Sequence, residues 1–168
     1  TGVQTCAVPI YLVPDYSTRV KEGAFYGWPW YYMGKNEDPR EHVKGQRPDL
    51  ADKVTIPDVR YTPHSAAVSL TFYNAKSGSS QFPAEYQGEG FAVLHGSWNR
   101  AFRTGGKIVR LPMKNNVPTG EYEDFLTGFI VDDASVWGRP NSIVVAADGS
   151  LLVGDDGANV VYRISTAK

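Results

Sequence analysis

Cysteine is nearly missing from this chain. Cys6 stands alone among 168 residues, so no internal disulfide can form, and no Cys/His spacing suits zinc. Histidine is scarce as well, with three residues. Long apolar runs are also lacking: Ile143 to Ala147 and Leu151 to Gly154 have strand length, far short of the roughly 20 residues a membrane-spanning helix requires. Neither sign of charge dominates, since 17 Lys and Arg face 18 Asp and Glu for a formal charge of -1. No global field therefore draws in nucleic acid or an anionic membrane, and a charged ligand must be held locally. The reading is accordingly of a protein with no nucleic-acid partner and no transmembrane segment. Residues 1–13 carry an apolar patch from Ala7 to Val13, but no positively charged start and no clear small-residue cleavage site, so no signal peptide is read there.

What is present points to β-structure. Hydrophobic residues make up 42% and charged residues 21%, enough for an ordinary packed core. Glycine (17), proline (11), tyrosine (10) and tryptophan (4) together predict short strands, tight turns and aromatic packing between them.

The chain divides into three stretches: an atypical N-terminal segment at 1–13, a loop-rich segment at 14–63 that belongs to a preceding blade, and two C-terminal propeller blades at 64–168. Over 14–63 no period of 2 or 3.6 is sustained, and Pro14, Pro29, Pro39, Pro48, Pro57 and Pro63 punctuate the segment. So long an irregular stretch is unusual in a compact domain and points to a missing neighbour. From Ser65 onward strands are predicted at 66–73, 90–96, 107–113 and 123–130, then at 142–148, 151–156 and 159–165, with an Asp-Gly-Ser turn at 148–150. FAVLHG followed by IVRL at 108–111 weakly echoes LLVGDD followed by VYRI at 161–164, and the first copy carries the insertion SWNRAFRTGG at 97–106. Four strands and then three fit antiparallel four-stranded blades at the end of a partial β-propeller, the missing strand being supplied from elsewhere. A small β-sandwich or open antiparallel sheet uses the same local signals.

Two motifs carry chemistry. LHGSWNR (94–100) sets His95, Trp98 and Arg100 just past a strand, on a loop supported by a sheet. SVWGRPNS (135–142) sets Trp137 and Arg139 in the joint leading to the next blade. An Arg fork binds carboxylates side-on and an indole offers a flat surface, so two such pairs suit a flat polycarboxylate. Each also has a plainer reading: a strand cap, packing over the sheet, or a cation–π pair gluing adjacent blades. FYGWPWYY (25–32) reads as a packed plug more than a sugar platform, and His64 as a hydrogen-bonded structural residue. Asp155 and Asp156 do not match the alternating spacing of an EF-hand loop, and an Asx turn closing a hairpin is the better reading. Arg103 and Lys107 add positive charge to the mouth of the insertion or are simply solvated.

VPDY (13–16), EGAFYGWPWYY (22–32), PHSAAVSLTFY (63–73), QFPAEYQGEGFAVLHGSWNRA (81–101), TGEYEDFLTGF (119–129) and VWGRPNSIVVAADGSLLVGDDGANVVYRIS (136–165) follow one another in this order. Together they resemble the closing part of the pyrroloquinoline quinone (PQQ) dependent glucose/sorbosone dehydrogenases, of the L-sorbosone dehydrogenase-like type, with fungal PQQ-dependent pyranose dehydrogenases as more distant relatives. The resemblance implies a six-bladed propeller in the full-length family, with PQQ on one face near the axis and calcium beside it. It implies oxidation of an aldose or related sugar, a base taking the hydroxyl proton while hydride passes to the cofactor. His95, Arg100, Trp137 and Arg139 would then line the cofactor, the two arginines engaging its carboxylates and quinone oxygens. The catalytic histidine and most calcium ligands are expected on earlier blades, so no catalytic or metal-binding residue is assigned in this chain. The implied partners are a sugar, an electron acceptor and the missing blades, in a periplasmic or secreted setting. The alternative reading is a noncatalytic propeller module that binds a glycan or a protein.

Overall fold

A computed structural model describes residues 13–40 and 43–166. The atypical segment at its start, together with Cys6, lies outside the described residues apart from Val13. The chain forms two compact units, Thr1–Pro63 and His64–Lys168.

The first unit is held more by side chains than by sheet. Its strands are two residues each: β1 (Tyr16–Ser17), β2 (Tyr31–Tyr32), β3 (Asn36–Glu37) and β4 (Val59–Arg60), with a 3-10 helix at Pro48–Lys53. Strand β1 pairs antiparallel with β4, and β2 with β3. The short β1–β4 ladder is reinforced by a 2.7 Å hydrogen bond between the hydroxyls of Ser17 and Tyr61, and by Arg19, whose Nη2 donates to Asp58 Oδ1 at 2.8 Å. In FYGWPWYY, Tyr31 is buried and its hydroxyl donates to the Arg47 carbonyl at 3.1 Å. Trp30 packs near Phe25 at 6.3 Å and under the Arg47 guanidinium at 5.0 Å, whereas Trp28 is exposed beneath Arg40 at 4.5 Å. The stretch is thus part plug and part surface.

The second unit is all-β and antiparallel. Strands β5 (Ala67–Phe72), β6 (Gly90–Leu94) and β7 (Lys107–Leu111) are followed by a small hairpin of β8 (Met113–Lys114) and β9 (Val117–Pro118), then by β10 (Glu123–Leu126). They make a four-stranded sheet in the order β10-β7-β6-β5. Strands β11 (Pro140–Val145), β12 (Leu151–Asp155) and β13 (Val160–Ile164) make a three-stranded sheet in chain order. These are consecutive propeller blades, the second with three strands. All seven strands expected beyond Ser65 form, while the β8–β9 hairpin, turning on Asn115 and Asn116 with φ of 53° and 61°, interrupts the first blade.

Period-2 alternation explains the packing between the blades. Phe91, Val93 and Ile108 of the first sheet meet Ile143, Leu151 and Val153 of the second, with Tyr73 and Phe82 closing the cluster. The Tyr73 hydroxyl donates to the Gly149 carbonyl at 2.6 Å and accepts from the Phe82 N–H at 2.7 Å. That bond ties the first blade to the Asp-Gly-Ser turn, which Asp148 Oδ1 closes by accepting from the Ser150 N–H (3.0 Å) and hydroxyl (2.6 Å). On β5 the alternate residues Val68, Leu70 and Phe72 are exposed, as are Val144 of β11 and Val161 of β13.

Candidate functional site

Beyond β6 the ladder continues for two residues. The N–H groups of His95 and Gly96 donate to the carbonyls of Ala66 and Ser65 at 2.9 Å each. The chain then leaves the sheet as the insertion and returns at Gly105 and Gly106. Gly105 has φ of +71°, and a Cβ there would stand 2.7 Å from both Gly96 Cα and the Ser65 carbonyl oxygen. Only glycine lets the two ends of the insertion close so tightly. The far side of the loop is pinned by Arg103, whose N–H donates to Asp133 Oδ1 and whose Nε donates to the Asp133 carbonyl, both at 2.9 Å.

The second motif is fixed by the terminal hairpin. Asp155 is 5% exposed. Its carboxylate accepts from three backbone N–H groups: Arg139 at 2.8 Å, Gly157 at 2.9 Å and Ala158 at 2.8 Å. This is the expected Asx turn, with the added task of anchoring the start of β11. Gly138 permits it, because a Cβ at 138 would lie 2.3 Å from Asp155 Oδ2. Burial, and then the negative charge of Asp155, push the Tyr162 phenol above its usual range.

These two motifs open onto one cavity of about 420 Å³, whose wall includes His95, Trp98, Arg103, Ile130, Val136 and Arg139. Its volume lies within the range of small-molecule sites. His95 Nδ1–H donates to the Pro140 carbonyl at 2.8 Å, a bond that crosses from one blade to the next and leaves Nε2 as the basic nitrogen. Trp98 is 71% exposed, with its ring 5.8 Å from that of His64. Positive φ gathers at this rim, at His64 (62°), Ala66 (52°) and Asn99 (51°), and such backbone is characteristic of ligand-holding segments. Arg139 Nε donates to Asp156 Oδ1 at 2.7 Å, and this hydrogen bond is the main cause of the lowered pKa of Asp156.

Of the four residues expected to line a cofactor, the structure brings His95 and Arg139 into the cavity wall. Arg100 is half buried and Trp137 is 53% exposed, and neither lines it. Trp137 stacks on Phe129 at 5.2 Å, meets Tyr162 edge-on at 5.6 Å, and donates from Nε1 to the Gly128 carbonyl. In this structure it glues the joint to the blade. Trp98 and Arg103 take the corresponding places in the wall. Among the described residues no group of three or more His, Cys, Asp or Glu could hold a metal ion, and no helix is long and apolar enough to cross a membrane.

No family model matches the chain. An uncharacterized protein of Borreliella burgdorferi is 36% identical over 151 residues, which cover 88% of this chain and 37% of that protein. Among solved structures, a glucose dehydrogenase is similar with a TM-score of 0.60 at 18% identity, covering 92% of this chain and 39% of that one. The holo PQQ domain of pyranose dehydrogenase from Coprinopsis cinerea gives 0.58 at 20% identity, with coverages of 85% and 40%. A Trichoderma reesei carbohydrate-active enzyme of family AA12 gives 0.59 at 15% identity, with coverages of 83% and 38%. The chain therefore spans well under half the length of the proteins it matches, and the fold it shares with the solved ones is that of antiparallel β-propeller blades.

Proposed function

We propose that this chain is the later part of a PQQ-dependent sugar dehydrogenase of the glucose/sorbosone type, and that the cavity is one side of its quinone site. The observation that carries this reading is the meeting of His95 and Arg139, from successive blades, in one wall with Arg103 and Trp98. The donor set fits the cofactor's chemistry. PQQ is a flat tricarboxylate, and guanidinium forks, an imidazole nitrogen and an indole face are the groups that bind such a molecule.

On this reading His95 and Arg139 would hold the cofactor, joined by Arg103 and Trp98, while Arg100 and Trp137, expected in that role, stand outside the cavity wall. When bound, PQQ supplies the hydride acceptor for oxidation of the sugar. Arg103 and Arg139 would neutralise its carboxylates. His95, its Nδ1–H committed to the Pro140 carbonyl, offers Nε2 as a proton acceptor and can donate to a quinone oxygen only once Nε2 is protonated. The Trp98 indole would cover the ring face. The catalytic histidine and most of the calcium ligands belong to blades outside this chain, and a periplasmic or secreted location goes with the same reading.

Titration of PQQ with calcium, followed by tryptophan fluorescence, tests the proposal. Saturable quenching that Arg139→Ala weakens at least tenfold is expected, together with sugar-dependent dye reduction by the longer protein. No quenching here and no dye reduction there would end the reading. The noncatalytic glycan or protein module rests on the exposed Trp28. It requires Trp28→Ala to abolish ligand binding and Arg139→Ala to leave it intact.

A further inference from the structure

The Arg139 guanidinium is already partly engaged. Its Nε is taken by Asp156 Oδ1 at 2.7 Å, and both side chains are about half exposed, at 53% and 40%. The backbone sets the pair face to face, because the Asp156 N–H donates to the Arg139 carbonyl at 3.2 Å while the Arg139 N–H donates to Asp155 at 2.8 Å. The Asp156 carboxylate is also hydrogen-bonded by the Asn141 side chain and lies in the field of His95. A guanidinium grips a carboxylate best side-on, through two parallel N–H donors. With Nε occupied, an incoming carboxylate must accept a poorer grip or displace Asp156.

We propose that Asp156 is a resident competitor for Arg139, holding the guanidinium at the cavity wall in the ligand-free state and lowering the affinity of the cavity for anions that cannot displace it. The proposal rests on the cavity being an anion site, as the proposed function requires, and goes beyond that reading by naming the residue that tunes it. Asp156 acts through Arg139 and is a positioning residue.

Calorimetric titration of the chain with PQQ and, separately, with benzene-1,3,5-tricarboxylate tests it, using wild type, Asp156→Asn, Asp156→Glu, Arg139→Ala and the Arg139→Ala/Asp156→Asn double variant. Asp156→Asn is expected to bind both probes about two- to fivefold more tightly, the scale of a half-exposed ion pair. Asp156→Glu should return to within twofold of wild type, and Asp156→Asn should have no effect once Arg139 is alanine. A merely supporting role for Asp156 would give weaker binding in Asp156→Asn, not tighter. Equal or weaker binding by Asp156→Asn overturns the proposal, and so does a tightening that persists without Arg139, which would mark general electrostatics. If the tricarboxylate shows the expected pattern and PQQ does not bind, the competitor stands and the quinone reading falls. If PQQ binds and Asp156→Asn changes nothing, only the competitor falls. Binding of neither probe to any variant overturns both.

Discussion

Asp155 and Asp156 are neighbours in sequence with divided work. The first is buried against three backbone N–H groups, the second half exposed against a guanidinium. Adjacent residues of a strand end point to opposite faces, which is why a pair of identical side chains separates into an anchor and a ligand competitor. A carboxylate of the first unit permits a pH prediction. The Arg19 guanidinium hydrogen-bonds the Asp58 carboxyl and holds it down at about 2, below the ordinary 3.8. A depressed folded-state pKa stabilises the fold above the unfolded value and loses that effect as pH falls through the folded one. Asp58→Asn should therefore cost about 1 kcal/mol near pH 6, a modest figure because Arg19 is half exposed. The cost should shrink between pH 4 and pH 2, as read by denaturant unfolding at each pH. A cost that stays constant across that window would show that the ion pair is not its source.

At the scale of elements, the insertion and its neck matter most. Gly105 closes the neck against Gly96 and Ser65, so alanine there meets both a strained φ and backbone at 2.7 Å. Gly105→Ala is expected to lower stability by about 2 kcal/mol and to abolish binding in the cavity, because His95 and Trp98 flank the displaced segment. Thermal melts and the PQQ titration check this, and an unaltered melt would show that the neck is softer than its contacts imply. The legibility of elements followed their physics. Every strand of the two blades could be read from alternation bounded by turn residues, and the ends fell short where glycine intervened, as at Gly96 (φ 115°) and Gly128 (φ 100°). The strands of the first unit were invisible because two-residue ladders have no period to read, and their stability comes from pairs distant in sequence such as Ser17 with Tyr61 and Arg19 with Asp58. That His95 and Arg139 share a cavity wall was legible because each sits at a strand end. Trp98 reads as part of the first motif and Arg103 as charge at the mouth of the insertion, but neither is assigned to the cofactor from the sequence, since an irregular loop that turns at Asn99 (φ 51°) encodes no facing.

For the molecule as a whole, the exposed stripe of Val68, Leu70 and Phe72 is the feature expected to govern association in solution. Contiguous exposed apolar surface favours association. On the proposed function further blades cover such surfaces in the longer protein. Sedimentation of this chain alone should show self-association at micromolar concentration, reduced by Leu70→Ser with Phe72→Ser, while the same pair lowers the melting temperature of the longer protein. A monomeric wild-type chain at high concentration would speak against the stripe as a contact surface.

The pinched neck at Gly96 and Gly105 has a consequence for how such a protein can change. Because the close approach of Gly105 to Gly96 and Ser65 fixes both ends of the insertion, residues 97–102 are expected to tolerate exchange while Arg103 keeps its hold on Asp133. Randomising residues 97–102 should yield a collection of folded variants that differ in what they capture, with specificity inherited through six positions and the anchors at Arg103 and Thr104 kept.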